Sequence, residues 1–355
     1  MRYIVAASVV LSLLGIGTAA SGAVQPAPAN HRIVVTTSIQ AAVDAAGPGD
    51  TVVVPAGTYH EAVTVTTPGV SIEGGLDAVL DGSGLTARTG ILVRSTDGSR
   101  MAGFTLRGLT IRDFAFAGVL VDRVDGFRLT GSSYVDNDEY GVFPIRSSGR
   151  VDHNAVTGSD DTGVYVGQSS GVQVDANVAR DNTIGIEVEL STAVIVTNNI
   201  ASGNTVGLVV QILPGLHATT TSDIQVTGNL LTTNTRPNPV TDPTEILSVV
   251  PSGIGLLSVG ADRVAIAANV ITGNPTAGVA MVSLPARLAA LDPRLDPHPD
   301  QNSVIGNVFW RNGFDPDPKS APLPGADIVW DGTGTGNCAA RNLGATAFPV
   351  GIPAC

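Results

Sequence analysis

Aromatic rings, lysine, cysteine and clustered histidine are all scarce in this chain, and each scarcity removes a class of function. Phe, Tyr and Trp make up 4% of the 355 residues against 43% hydrophobic overall, so aliphatic side chains must build the core. A single lysine, Lys319, sits in an Asp-Pro-rich tail, which argues against a lysine base. Two cysteines, Cys338 and Cys355, are too few for a Cys-only metal site. The five histidines (31, 60, 153, 217 and 298) are scattered, with no HExxH helix, which disfavours a transition-metal enzyme. With 19 basic residues against 31 acidic ones the net charge is −12, which disfavours nucleic acid and anionic membranes as partners. Polyanionic glycans are disfavoured too, unless a divalent cation bridges the charges. Beyond the N-terminus no apolar run is long enough to span a bilayer.

What is present begins with an address. Arg2, the apolar run Ile4 to Ile16 and the small residues Thr18 to Ala23 have the composition of a secretory signal over residues 1–23, with Ser21 and Ala23 at the −3 and −1 positions. The expectation is a secreted protein, extracellular or in the cell envelope, whose residues 24–355 form one domain. Export permits a Cys338–Cys355 disulfide closing the C-terminal loop.

The 42 glycines and the abundance of valine point to short strands and tight turns. Glycines at 141, 163, 185 and 207 recur every 22 residues, opening GVFPIRSS, GVYVGQSS, GIEVELST and GLVVQILP; looser copies start at Gly118, Gly255 and Gly278. Upstream of these runs lies a second element, as in VDANVARDN, VTNNIASGN, VTGNLLTTN and IAANVITGN. A unit of 22 residues holds three short strands and cannot bury its own apolar face; stacked coils bury it together, each strand pairing in parallel ~4.8 Å from its equivalent. The fold class predicted is therefore all-β, a right-handed parallel β-helix of roughly ten coils. Alternation turns Val142/Pro144, Val164/Val166, Ile186/Val188 and Leu208/Val210 inward. The recurrent asparagines are placed to stack as hydrogen-bonded ladders. Ile39, Ala42, Val43 and Ala46 after Ser38 describe a capping helix within about 36–48. A Pro-rich insertion at 234–252 must loop out over one face, and 284–355 is an irregular Pro/Asp-rich part.

Fixing the register stacks the outward residues. One column reads Leu120, Phe143, Tyr165, Glu187 and Val209; the next reads Asp122, Ile145, Gly167, Glu189 and Gln211. Polar and aromatic residues concentrate between Tyr140 and Glu189. Glu187 and Glu189 lie two residues apart on one strand, ~6.5–7 Å by strand rise alone, a spacing suited to glycosidic acid and base catalysis. Tyr140, Phe143 and Tyr165 are candidates for stacking on sugar rings, and Arg146 and Gln168 for orienting them. Asp138, Asp160 and Asp161, on neighbouring rungs, are candidates to hold Ca²⁺. Against these stand plainer readings: a Glu-x-Glu on a solvated strand face, Asp as turn caps, and an ordinary cross-strand aromatic pair.

SIQAAVDAAGPGDTVVVPAGTY resembles the entry segment of pectin-lyase-like right-handed β-helix proteins, and the block containing GVYVGQS and GIEVE resembles an exported bacterial family known only for its parallel β-helix repeats. That resemblance implies a fold and an address but no reaction. Asp160-Asp161 is all that matches the polygalacturonase-like motifs. YGVFPIR keeps Tyr140, Gly141 and Pro144 of the alginate-epimerase motif without its acids and histidine. Val151-Asp152-His153 faintly echoes pectate lyases. Two functions stand open: a lyase or hydrolase of extracellular polysaccharide, or a non-catalytic glycan-binding or envelope scaffold.

Overall fold

The computed structural model describes residues 30–355; the expected signal segment, 1–23, lies outside them. The chain winds through three sheets of 12, 11 and 10 strands, with parallel pairing throughout. One coil contributes Ser148–Asp152, Ala155–Thr157 and Thr162–Gly167; the next contributes Val172–Asp175, Val178–Arg180 and Ile184–Glu189. The 22-residue spacing becomes register: Val142 pairs with Val164, Val164 with Ile186 and Ile186 with Leu208. All four side chains are completely buried in the interior, each worth ~1.5–3 kcal/mol.

Asparagine fixes the turns between sheets. Asn154, Asn177, Asn199, Asn229, Asn269, Asn307 and Asn342 form one ladder, each side-chain amide donating to the carbonyl oxygen of the next at 2.9–3.0 Å. A second ladder runs from Asn182 through Asn204, Asn234 and Asn274 to Asn312. At the third corner Arg146, Gln168 and Leu190 adopt left-handed backbone, with φ of 52°, 46° and 45°. That geometry costs ~1–2 kcal/mol for a residue with a side chain. It is held by a serine stack just beyond it: Ser147 N–H donates to Ser169 Oγ at 3.0 Å, and Ser169 N–H to Ser191 Oγ at 2.9 Å.

The entry is capped by the helix Ile39–Asp44, whose Ser38 side chain accepts from Ala41 N–H. The Glu61 carboxylate receives the free Ile39 and Gln40 N–H groups. At the other end Cys338 and Cys355 are bonded to each other. No helix among the described residues is long and apolar enough to cross a membrane.

The outward face of the 11-stranded sheet is not washed by solvent: Thr162–Gly167, Ile184–Glu189, Val206–Gln211 and Ile254–Val259 are buried at every position. A second apolar cluster outside the helix explains it. Val209, Leu257 and Ala280 on the sheet pack with Leu284, Leu288, Leu247 and Val250. The insertion 234–252, with its short 3-10 turn Ile246–Val249, and the irregular stretch after Leu284 thus roof the sheet.

Candidate active site

The roof leaves a row of acids and rings beneath its edge. Tyr165 pairs in register with Glu187, and Gly167 with Glu189. Tyr165 and Glu189 are each 5% exposed and Glu187 3%, so the solvated-face reading fails for this Glu-x-Glu. Burial on the outside of a β-helix removes water from acids that the sheet itself cannot pair.

The acids answer by sharing protons. Gln211 Nε2 donates to Glu187 Oε1 at 2.7 Å. The Thr162 hydroxyl lies 2.6 Å from Glu187 Oε2 and 3.0 Å from Asp161 Oδ1. One hydroxyl hydrogen cannot serve two acceptors, so both contacts are hydrogen bonds only if a carboxyl proton supplies the second. Glu187 is the natural holder: burial, then the charges of Glu189 and Asp161, push its pKa well above the usual carboxylate range. Burial likewise raises Glu189 to about 7, opposed by hydrogen bonds from Tyr165 and Glu187. Asp161 is raised to about 6, chiefly by burial, against hydrogen bonds from Tyr140 and Thr162. Tyr140 and Tyr165 are shifted upward by burial and then by these acids, so both remain neutral phenols and act as donors.

Glu187 and Glu189 thus lie close enough for the charge of one to raise the pKa of the other.

Gly167 makes the Tyr165 contact possible. A Cβ there would overlap the Tyr165 ring and hydroxyl. Without one, the phenol lies along the strand and reaches Glu189, which sits on the rung beyond Gly167.

Rings extend the row toward the N-terminal coils. Phe143 stacks on Tyr165 at 4.5 Å and 18°, Tyr140 lies 4.4 Å from Phe143, and Phe116 closes edge-on at 5.4 Å from Tyr140. Phe116, which no motif marked, carries the Arg88 guanidinium at 5.4 Å over its face, and Arg88 pairs with Glu139 at 2.6 Å.

Of the residues expected to form a site, the structure gathers Tyr140, Phe143, Tyr165, Glu187 and Glu189. It separates the others. Arg146 is tied to Asp122 at 2.8 Å and, with Gln168, lines a different crevice beyond the strand ends. The three aspartates part: Asp138 is exposed, Asp160 pairs with Arg236 of the insertion at 3.2 Å, and Asp161 turns to Thr162. Among the described residues no three His, Cys, Asp or Glu side chains gather as a metal-holding group. Adjacency on the turn placed the aspartates together; alternation sends Asp160 and Asp161 to opposite sides. The sequence reading passed over Thr162 and Gln211, although Gln211 stands directly above Glu189 in the outward column.

Past Gln211 the same face opens into a cleft of about 400 Å³. Its floor is aliphatic and its walls come from Ile246–Pro251, Val282–Leu288 and Lys319–Pro324.

The architecture has solved counterparts. The Azotobacter vinelandii mannuronan C-5 epimerase AlgE4 A-module matches with a TM-score of 0.61 at 19% identity over 86% of this chain and 91% of that one. The AlgE6 A-module of the same organism gives 0.62 at 18% over 87% and 90%. DFA-IIIase from Arthrobacter chlorophenolicus A6, solved in complex with GF2, gives 0.61 at 17% over 89% and 87%. At such identities the likeness is one of fold. No curated protein matches the chain. A family model described as the right-handed β-helix region matches residues 89–290, more than half of the sequence, and with the coil geometry above it places this chain in the right-handed β-helix family.

Proposed function

We propose that this protein is a glycan-acting enzyme of the hydrolase type, with Asp161 as general base and Glu189 as general acid. The observation that carries the reading is the buried acid cluster, roofed by the insertion and flanked by aromatic rings. Glycosidic cleavage needs one carboxyl protonated and one ionised at the same pH. Glu189, raised to about 7, is the better acid, and Asp161, raised to about 6 and less deeply buried, the better base. Glu187, the deeper member of the expected pair, becomes a positioning residue that holds a proton behind them. Phe116, Phe143 and Tyr140 offer faces on which a sugar ring can stack.

The lyase alternative is less well supported. Proton abstraction beside a uronate needs a cation to neutralise the substrate carboxylate. Here three acids cluster on the outward face, while Arg88 and Arg236 are paired with Glu139 and Asp160. A neutral glycan fits this field better than an acidic one. The epimerase and DFA-IIIase neighbours support carbohydrate as the substrate class.

The test is reducing-end release from a panel of neutral and acidic polysaccharides. Turnover on a neutral glycan that falls ~10²- to 10⁴-fold in Glu189→Gln and in Asp161→Asn supports the assignment. Unchanged turnover in both variants refutes it. Saturable binding with no product from any glycan points instead to the binding scaffold, for which the row of rings alone would suffice.

A further inference from the structure

The outward column that carries Glu187 changes character along the helix axis. Register runs Phe143 and Tyr165, then Glu187, then Val209, Leu257, Ala280 and Val329. The neighbouring column does the same, from Glu189 through Gln211 to Val259 and Val282. Leu257, Ala280 and Val329, three successive aliphatic rungs at ~4.8 Å spacing, make a cleft floor about 10 Å long. This floor lies under the roof but is not filled: the cleft above it holds about 400 Å³. That is more than twice the ~150 Å³ apolar cavity that takes up benzene. Lys319 is its single charged lining residue. Gln211 belongs to both places, lining the cleft while its amide donates to Glu187.

We propose that the cleft is a subsite for a linear alkyl or acyl chain, and that the substrate is an amphiphilic glycoside whose sugar lies over the acids. This rests on the glycan-acting reading above for its sugar half only. A straight trough, one end of which abuts the acid cluster, suits a chain better than a planar aromatic group. A polar sugar placed on that floor would leave its hydroxyls without partners, which costs binding rather than adding to it.

The experiment is calorimetric binding of n-alkyl β-D-glucopyranosides, from methyl to octyl, below their micellar concentrations. Affinity should rise on the order of three- to fourfold per added methylene over the longer members, as expected for burial of each group. Ala280→Phe, which fills the floor, should abolish that dependence, and the smaller Ala277→Leu should weaken it; far-ultraviolet circular dichroism identifies a variant that has lost its fold. Equal affinity for methyl and octyl glucosides overturns the proposal, as does a chain-length dependence that persists in folded Ala280→Phe. A chain-length dependence together with no turnover on any glycan sustains the subsite while refuting the catalytic reading.

Discussion

Gly167 shows how much of the site hangs on one missing methyl group. Its bare backbone lets Tyr165 lie down and donate to Glu189, and that donation holds the Glu189 pKa lower than burial alone would leave it. Removing the hydroxyl in Tyr165→Phe should therefore raise the Glu189 pKa further and carry the alkaline limb of the pH–rate profile upward. Gly167→Ala should shift the same limb in the same direction, and the double variant should add little, since both break one bond. A Tyr165→Phe profile identical to wild type would separate the phenol from the acid. In the wild type the two limbs belong to Asp161 and Glu189, so turnover should be bell-shaped, with apparent limbs near 6 and 7 that describe the coupled pair.

The elements divide into those that build the coil and those that roof it. Asn199 accepts from Asn177 and donates to the Val174 and Thr197 carbonyls and to Asn229. Asn199→Leu leaves at least two buried groups unpaired at ~1–3 kcal/mol each, so urea unfolding should register a loss of ~2–6 kcal/mol. The insertion acts differently. It is tied down by Arg236 to the Asp181 carbonyl and to Asp160, and it carries part of the apolar cover. Replacing 238–250 by a short Gly-Ser linker should leave the coils folded and let water reach the acids. Burial is the largest cause of their raised pKa values. The pH–rate limbs should then move toward ordinary carboxylate values while turnover drops. Limbs that stay in place would mean that the insertion is not the cover.

On the scale of the whole molecule, two sets of carboxylates pull stability in opposite directions with pH. Asp125 is held at about 2 by its hydrogen bond to Arg100; at Asp152 burial is outweighed by bonds from Arg128, His153 and Thr130, again to about 2. What these contribute is present above the unfolded pKa near 3.8 and is lost as pH falls toward 2. Asp161 and Glu189 have folded values above their unfolded ones, so their contribution is present at low pH and lost as pH rises through about 6 and 7. Thermal stability should peak between about pH 4 and 6. Glu189→Gln should flatten the alkaline decline and melt above wild type at pH 8. A wild-type melting temperature still rising from pH 6 to 8 would contradict this.

The coil was legible because its signal is local and repeated. Glycine spacing gives the rung, alternation gives the inward column, and Asn at fixed offsets gives the ladders. The acids and rings were legible as a concentration of outward residues on adjacent rungs. Their environment was not, because the roof comes from segments without periodicity that fold back from later in the chain. Exposure therefore could not be read at Glu187, whose neighbours include Thr162 below and Gln211 above. Asp160 and Asp161 read as a pair because they are adjacent in sequence; only the path of the strand shows that one meets Arg236 and the other meets Thr162.

The central claim is that the outward acids form a buried, proton-sharing cluster poised near neutral pH. The chain has only six glutamates, so side-chain carboxyl ¹³C shifts of glutamate-labelled protein can be followed individually, with Glu187→Gln and Glu189→Gln assigning the two signals. The account predicts that Glu189 titrates with an apparent midpoint near 7 and that Glu187 titrates well above the ordinary glutamate range. Both signals titrating near 4.5, the ordinary glutamate value, would contradict it.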